Sequence, residues 1–396
     1  MPQLSEICDR QNLYKINSVF PVISSVAWTS FATGRNPGEH GIFGFTDRQC
    51  DPFKVKIPTS ANRQRKPIWA ELPRDKKKIV INVPLTYPPE PLNGYMVSCF
   101  LCTDIHKATY PSDFHRHLMD MGYIIDADAW LARENKTQFL QELIMAMDKR
   151  FQLAFELLNE DWGYFQLHIM ETDRLMHFFF EYMTEEKSDG VSELIERFLS
   201  KLNQWIEMLI NCLQDKAAIM ILSDHGFCKI NSEVQLNLWL EQQGWLSLNT
   251  DRKLENYRKE TVCYSMTPGR IYLNLEGREG RGSVKENEYF AVRDMIKYRL
   301  MKTSNPNSGE AVIDRVMFRE EIYHGDYVVN APDIIVHPKN GYDLKASLDG
   351  QSIFSKSALT GMHTYEDAMI MGIGIDVSHV NSIDQAYQVI LEYLKV

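Results

Sequence analysis

The chain has 396 residues, 44% hydrophobic and 24% charged, which excludes a disordered, collagenous or disulfide-stapled chain and fits one large domain or two ordinary ones. Lys and Arg number 43 against 53 Asp and Glu, a net charge of −10. The surface as a whole therefore offers no attraction to a nucleic-acid polymer or an anionic membrane.

Met1 to Ile23 reads as helix and connector. Its opening lacks the basic and apolar parts of a secretory leader, and no run of about 18 apolar residues follows anywhere. The expected location is the cytoplasm, unless a leader stands upstream. Lys78-Ile-Val-Ile-Asn-Val-Pro84 reads as a buried strand cut off by proline. Thr137 to Asn159 is a helix with Phe139, Leu143, Met147, Phe151, Phe155 and Leu158 on one stripe. Residues 163–170 read as a strand. Ser192 to Leu213 is a helix with Leu194, Phe198, Leu202, Trp205, Leu209 and Leu213 on its apolar stripe. Further strands are expected over 217–222, 270–275, 333–337 and 368–373.

This alternation predicts an α/β fold, a mostly parallel central sheet with helices on both faces. We read 1–396 as a single domain carrying an inserted α+β subdomain at about 231–342, where charged helical pieces and the turn Gly277-Arg-Glu-Gly-Arg-Gly282 interrupt the pattern. Seven cysteines, an odd number at scattered positions, make no disulfide framework. The lone Cys99-Phe-Leu-Cys102 has no second pair to complete a zinc site.

Four segments are rich in ligand-type residues, and the first three lie at or after strand ends, where open α/β sheets place their sites. Ser24 and Ser25 enter a helix that ends near Gly34; there a serine either caps the helix or faces its unpaired N–H groups. In Glu171-Thr-Asp173-Arg-Leu-Met-His177, Asp173 and His177 share one helical face and can hold one cation. In Ser223-Asp224-His225-Gly226, adjacent Asp and His on a sharp turn point in different directions. Gly361-Met-His363 adds a lone histidine. Each alone has an ordinary structural explanation. Together they suit two divalent cations beside one hydroxyl, with zinc the first choice for a histidine and carboxylate set and manganese the second.

The four pieces resemble the alkaline phosphatase superfamily, and within it the type I phosphodiesterase/nucleotide pyrophosphatase group. Pro21-Val-Ile-Ser24, continued by Ala27-Trp-Thr-Ser-Phe-Ala-Thr-Gly-Arg-Asn-Pro-Gly-Glu-His-Gly-Ile-Phe43, is similar to the nucleophile segment. The other three resemble the Asp-x-x-x-His, Asp-His-Gly and C-terminal histidine motifs. The resemblance implies an alkaline-phosphatase-like fold, a nucleophile at Ser24 with Ser25 as fallback, and a small phosphate-ester substrate. It places Asp173, His177 and His363 on one metal, and Asp224 and His225 on the other. His40 falls where the family uses no ligand and is read as structural.

Two departures stand out. The family opens with a buried strand ending in Asp-Gly, whose Asp binds the second metal. Here that first strand is missing ahead of Ser24, as in a late start, a fragment or a true variant, and Asp9 follows no apolar strand. Phe45 occupies the place of an oxyanion-binding Asn. Arg174 and the Ser25 N–H are the candidate replacements for that donor. The expected function is hydrolysis of phosphodiester or pyrophosphate bonds, nucleotide-type substrates included. The alternatives are a non-catalytic pseudoenzyme or inactive fragment, or a phosphonate hydrolase or phosphotransferase of the same superfamily. A sulfatase is disfavoured, because Cys50-Asp-Pro-Phe-Lys54 lacks the required spacing and arginine.

Overall fold

The computed structural model describes residues 13–185, 189–350 and 352–395. Where helix and connector were expected before Ser24, the described part contains a short strand, Tyr14–Ile16 (β1). Three residues with only Ile16 buried carry too little pattern to be read as a strand, and β1 exists because it pairs with a distant one.

The central layer is built from two sheet segments. In one, Lys77–Ile81 (β4) runs parallel to both Gly94–Val97 (β5) and Trp162–Leu167 (β7), and Thr109–Tyr110 (β6) adds to β5 antiparallel. Ile79, Val80 and Ile81 are wholly buried, the continuous apolar run of a strand covered on both faces. In the other segment, Ala368–Ile373 (β18) lies between β1 and Ile219–Leu222 (β8), antiparallel to each. β7 and β8 are the end strands of their segments.

Helices cover both faces. On one, Ser24–Thr33 (α1) and a C-terminal helix, Ala386–Leu394, pack Ala27, Trp28, Phe31 and Val389 against Val80, Met96, Tyr164 and Ile370. The shared core joins the two sheet segments into one layer. On the other face, Lys136–Leu157 (α2) sets Leu153, Ala154 and Leu157 against Ile79, Ile81 and Val97. Met170–Thr184 (α3) and Gly190–Leu213 (α4) pack against α2 through Phe139, Phe151, Leu175, Phe179, Phe198 and Leu202.

A second core lies between β8 and β18 in sequence. Cys263–Met266 (β11), Arg270–Leu273 (β12), Ile334–Pro338 (β14) and Ile313–Phe318 (β13) form a four-stranded sheet in that spatial order. A three-stranded sheet of Tyr342–Lys345 (β15), Ser232–Gln235 (β10) and Phe354–Ser355 (β16) and the helix Tyr289–Met301 complete it. Phe53, from the hairpin of Asp47–Cys50 (β2) and Phe53–Lys56 (β3), plugs into this core. Among the described residues no helix is long and apolar enough to cross a membrane, and the cysteines are free thiols.

Candidate active site

Ser24 is the first residue of α1. Ile23 before it is extended and has no side chain able to cap the helix; its carbonyl takes the N–H groups of Val26 and Ala27. The N–H groups of Ser24 and Ser25 are thus left as open donors at the positive end of the helix. Ser24 Oγ lies 3.1 Å from His225 Nε2. Ser25 Oγ is buried without a partner, so of the two neighbouring serines only Ser24 presents its hydroxyl to a histidine.

Asp173 and His177 stand one turn apart on α3, which starts three residues beyond β7. Asp224 and His225 occupy the turn after β8. His363 sits on Gly361–Thr364 (β17), which pairs antiparallel with Gly226–Lys229 (β9), so the chain leaving the Asp-His-Gly turn itself holds His363 in place. Asp173, His225 and His363 each offer one ligand atom within 4.8 Å of the others. His177 joins them: its Nε2 is 2.9 Å from that of His363 and 3.6 Å from Asp173 Oδ1. Asp224 Oδ2 is 3.2 Å from His225 Nε2. Three distant segments therefore converge with Ser24 on one point.

The histidines share one wiring. His177 Nδ1 meets Gly361 O at 2.9 Å, His225 Nδ1 meets Gly226 O at 3.2 Å, and His363 Nδ1 meets Val22 O at 3.2 Å. A carbonyl only accepts, so in each neutral ring the proton is on Nδ1 and Nε2 carries a lone pair. Those lone pairs face one another and the carboxylates. Two of them at 2.9 Å repel unless a cation or proton lies between. Asp173 Oδ1 and Asp224 Oδ2 are buried with no partner in hydrogen-bonding geometry, although imidazole nitrogens are close by. Such a donor set fits divalent metal.

Without a cation the same groups perturb one another. Burial pushes the Asp173 carboxyl up, but His177, His363 and His225 in their protonated forms outweigh it and hold the group well below the ordinary range. Asp224 is likewise depressed, chiefly by His225 acting against its burial. Burial brings His177 down to about 4, whereas Asp224 and Asp173 overcome the burial of His225 and raise it.

Arg174 turns to Asp126, with contacts of 3.3 and 2.6 Å, and lies over the Phe100 ring. Phe45 packs edge-on to the same ring, centroids 5.2 Å apart. Where a polar donor was sought there is thus an aromatic pair with a guanidinium already engaged by a carboxylate. His40 is buried against Ser30 and Ile42, and Asp9 lies outside the described residues.

Two features escaped the sequence reading. His168, at the end of β7, is 8% exposed and edge-on to Trp28, and burial lowers it to about 4 with Asp224 opposing. Its only sequence signal was its place after an apolar strand. Arg150 and Glu171 form a buried ion pair beneath the centre, and no local sequence pattern announced it.

Residues 1–366 match the family described as type I phosphodiesterase / nucleotide pyrophosphatase. The chain belongs to that family. The resemblance read from the four segments holds at this level. No curated protein matches the chain in sequence. Among solved structures, the chain is similar to phosphonoacetate hydrolase from Sinorhizobium meliloti 1021 in complex with phosphonoacetate, at TM-score 0.64 and 15% identity, covering 100% of this chain and 90% of that one. Murine ectonucleotide pyrophosphatase / phosphodiesterase 5, as an inactive variant in complex with AMP, aligns at TM-score 0.56 and 13% identity over 100% and 90%. Alkaline phosphatase PafA aligns at 0.53 and 14% over 96% and 89%. The fold is therefore alkaline-phosphatase-like, the class expected from the sequence.

Proposed function

We propose that the protein is a metal-dependent phosphohydrolase that cleaves phosphodiester or pyrophosphate bonds through a phosphoseryl intermediate on Ser24. The observation that carries this reading is the common wiring of the three histidines, each Nδ1 spent on a carbonyl and each Nε2 turned toward Asp173, that of His225 also facing Asp224 and the Ser24 hydroxyl. Asp173, His177 and His363 would hold one divalent cation and Asp224 and His225 a second, zinc first and manganese next. When bound, the cations would lower the pKa of the hydroxyl and neutralise the phosphoryl oxygens.

The chain's own groups do the rest. The start of α1 fixes Ser24 Oγ for in-line attack on phosphorus. The ester oxygen departs as the Ser24–phosphorus bond forms, and water then cleaves that bond and restores the serine. The open Ser24 and Ser25 N–H groups lie beside the attacking oxygen and can donate to a phosphoryl oxygen. Arg174 joins them only by exchanging Asp126 for substrate.

A second reading is supported by the Phe45–Phe100 pair and by the likeness to phosphonoacetate hydrolase: a small phosphonate replaces the diester.

The test is turnover of bis-p-nitrophenyl phosphate, and separately of phosphonoacetate, with added zinc or manganese. Ser24→Ala should lose at least about 10³-fold in kcat while Ser25→Ala retains most of it. Undiminished turnover by Ser24→Ala would refute the assignment.

A further inference from the structure

Beneath the candidate centre lies a buried polar network centred on Arg150, which belongs to none of the ligand segments. Arg150, on α2, is fully buried, and so in effect is Glu171. Arg150 Nε donates to both Glu171 oxygens at 3.0 and 3.1 Å, and Nη2 donates to Glu171 Oε1 as well. Nη1 donates to Tyr123 Oη at 2.9 Å and Nη2 to Ile125 O at 3.1 Å. Tyr123 Oη donates in turn to Asn82 Oδ1, and Asn82 Nδ2 reaches Ser98 O and Ile125 O. One guanidinium thus binds α2, the first turn of α3, and the loop that carries Asp126. Asp126 then grips Arg174 from outside.

Asp173 stands between these two anchors. On a helix, Glu171 points about 200° away from Asp173 and Arg174 about 100° away, so the two grips fix the rotation of α3 about its own axis. A carboxylate oxygen about 5 Å from that axis moves about 1.7 Å for 20° of rotation. Metal–ligand bonds tolerate about 0.2 Å. The same rotation carries His177, one turn on. A buried ion pair is in general a poor source of stability, but it is a strong fixer of geometry.

We propose that Arg150, acting through Glu171, is the positioning residue that sets the orientation of α3 and so delivers Asp173 and His177 to the metal centre. This rests on the reading of the centre given under Proposed function.

The experiment measures zinc affinity by chelator competition, with kcat and KM for bis-p-nitrophenyl phosphate, in Arg150→Met/Glu171→Leu. That variant removes both charges together and leaves neither buried alone. A folded variant, by circular dichroism and a cooperative melt, should bind zinc 10–100-fold more weakly and lose kcat with little change in KM. Zinc affinity equal to wild type in the folded variant would overturn the proposal, since a purely structural pair moves the melt and not the affinity. If the double variant does not fold, Arg150→Lys decides. It keeps a cation beside Glu171 but gives up Tyr123 or Ile125, and unchanged zinc affinity would again overturn the idea. Wild-type protein that binds no zinc or manganese would instead overturn the reading of the centre itself, and this inference with it.

Discussion

His40 illustrates how one residue's wiring sets a property of the folded state. Its Nδ1 accepts the Ile42 N–H at 3.2 Å, so its proton is on Nε2, 3.0 Å from Ser30 Oγ. Protonating Nδ1 would break the Ile42 bond and bury a charge, and burial accordingly brings His40 down to about 3. The unfolded chain takes up that proton near 6.5 while the folded one waits until about 3. Its contribution is therefore complete above about pH 6.5 and is lost as pH falls between those values, at about 1.4 kcal/mol per unit. His40→Asn keeps an acceptor for Ile42 without the titration. The drop in unfolding free energy from pH 7 to pH 5, measured in urea, should be smaller in the variant by about 2 kcal/mol. An equal drop would mean that His40 titrates normally. At this scale the sequence was legible where chemistry is local: Asp173 with His177, and Asp224 with His225. The resemblance put the nucleophile on Ser24 with Ser25 as fallback; the residues alone do not separate the two, because which one faces a histidine is decided 201 residues away. Nor could the sequence find Arg150, whose partners lie on two other segments, the start of α3 and the loop of Tyr123 and Ile125.

Between elements, the close approach of α3 to β17 brings His177 to His363. Gly361 makes it possible: a Cβ there would lie 2.2 Å from Met176 O and 2.9 Å from Phe180 Cβ. The carbonyls on both sides are in use, Gly361 O by His177 Nδ1 and His177 O by the Thr360 N–H. Gly361→Ala must push strand and helix apart and pull the two imidazoles with them. The expected result is a loss of about 1–3 kcal/mol in stability, together with weaker zinc binding. A urea melt and chelator competition would check it; unchanged values in both would show that the contact does not set the geometry. Long helices and buried strands were readable because their burial is periodic over many residues, as in α2 and β4. The expected stripe of α4 is buried at Phe198 and Leu202, while toward its ends Ile195 and Ile210 go inside and Leu194, Trp205 and Leu209 are half-buried beside them. β9 and β17, four residues each, exist through pairing across more than a hundred residues, and local pattern cannot announce that.

Across the whole molecule, the candidate centre joins segments that the sequence keeps far apart, from Ser24 to His363, at the end of the central layer. The second core around Tyr264, Tyr272 and Leu344 contributes none of these side chains. The converging lone pairs and buried carboxylates repel in the absence of a cation, so binding one should favour the folded state over the unfolded, where the ligands are dispersed. At a hundred times its dissociation constant, one cation adds about 2.7 kcal/mol. Zinc should raise the thermal midpoint by a few degrees and a chelator should return it, with Asp173→Asn/His363→Ala showing neither shift. The double substitution separates this centre from adventitious sites such as the free thiols. If the variant's midpoint rises with zinc as far as that of wild type, the stabilising metal binds elsewhere. If neither protein responds, the convergence of these six side chains serves some purpose other than holding a cation.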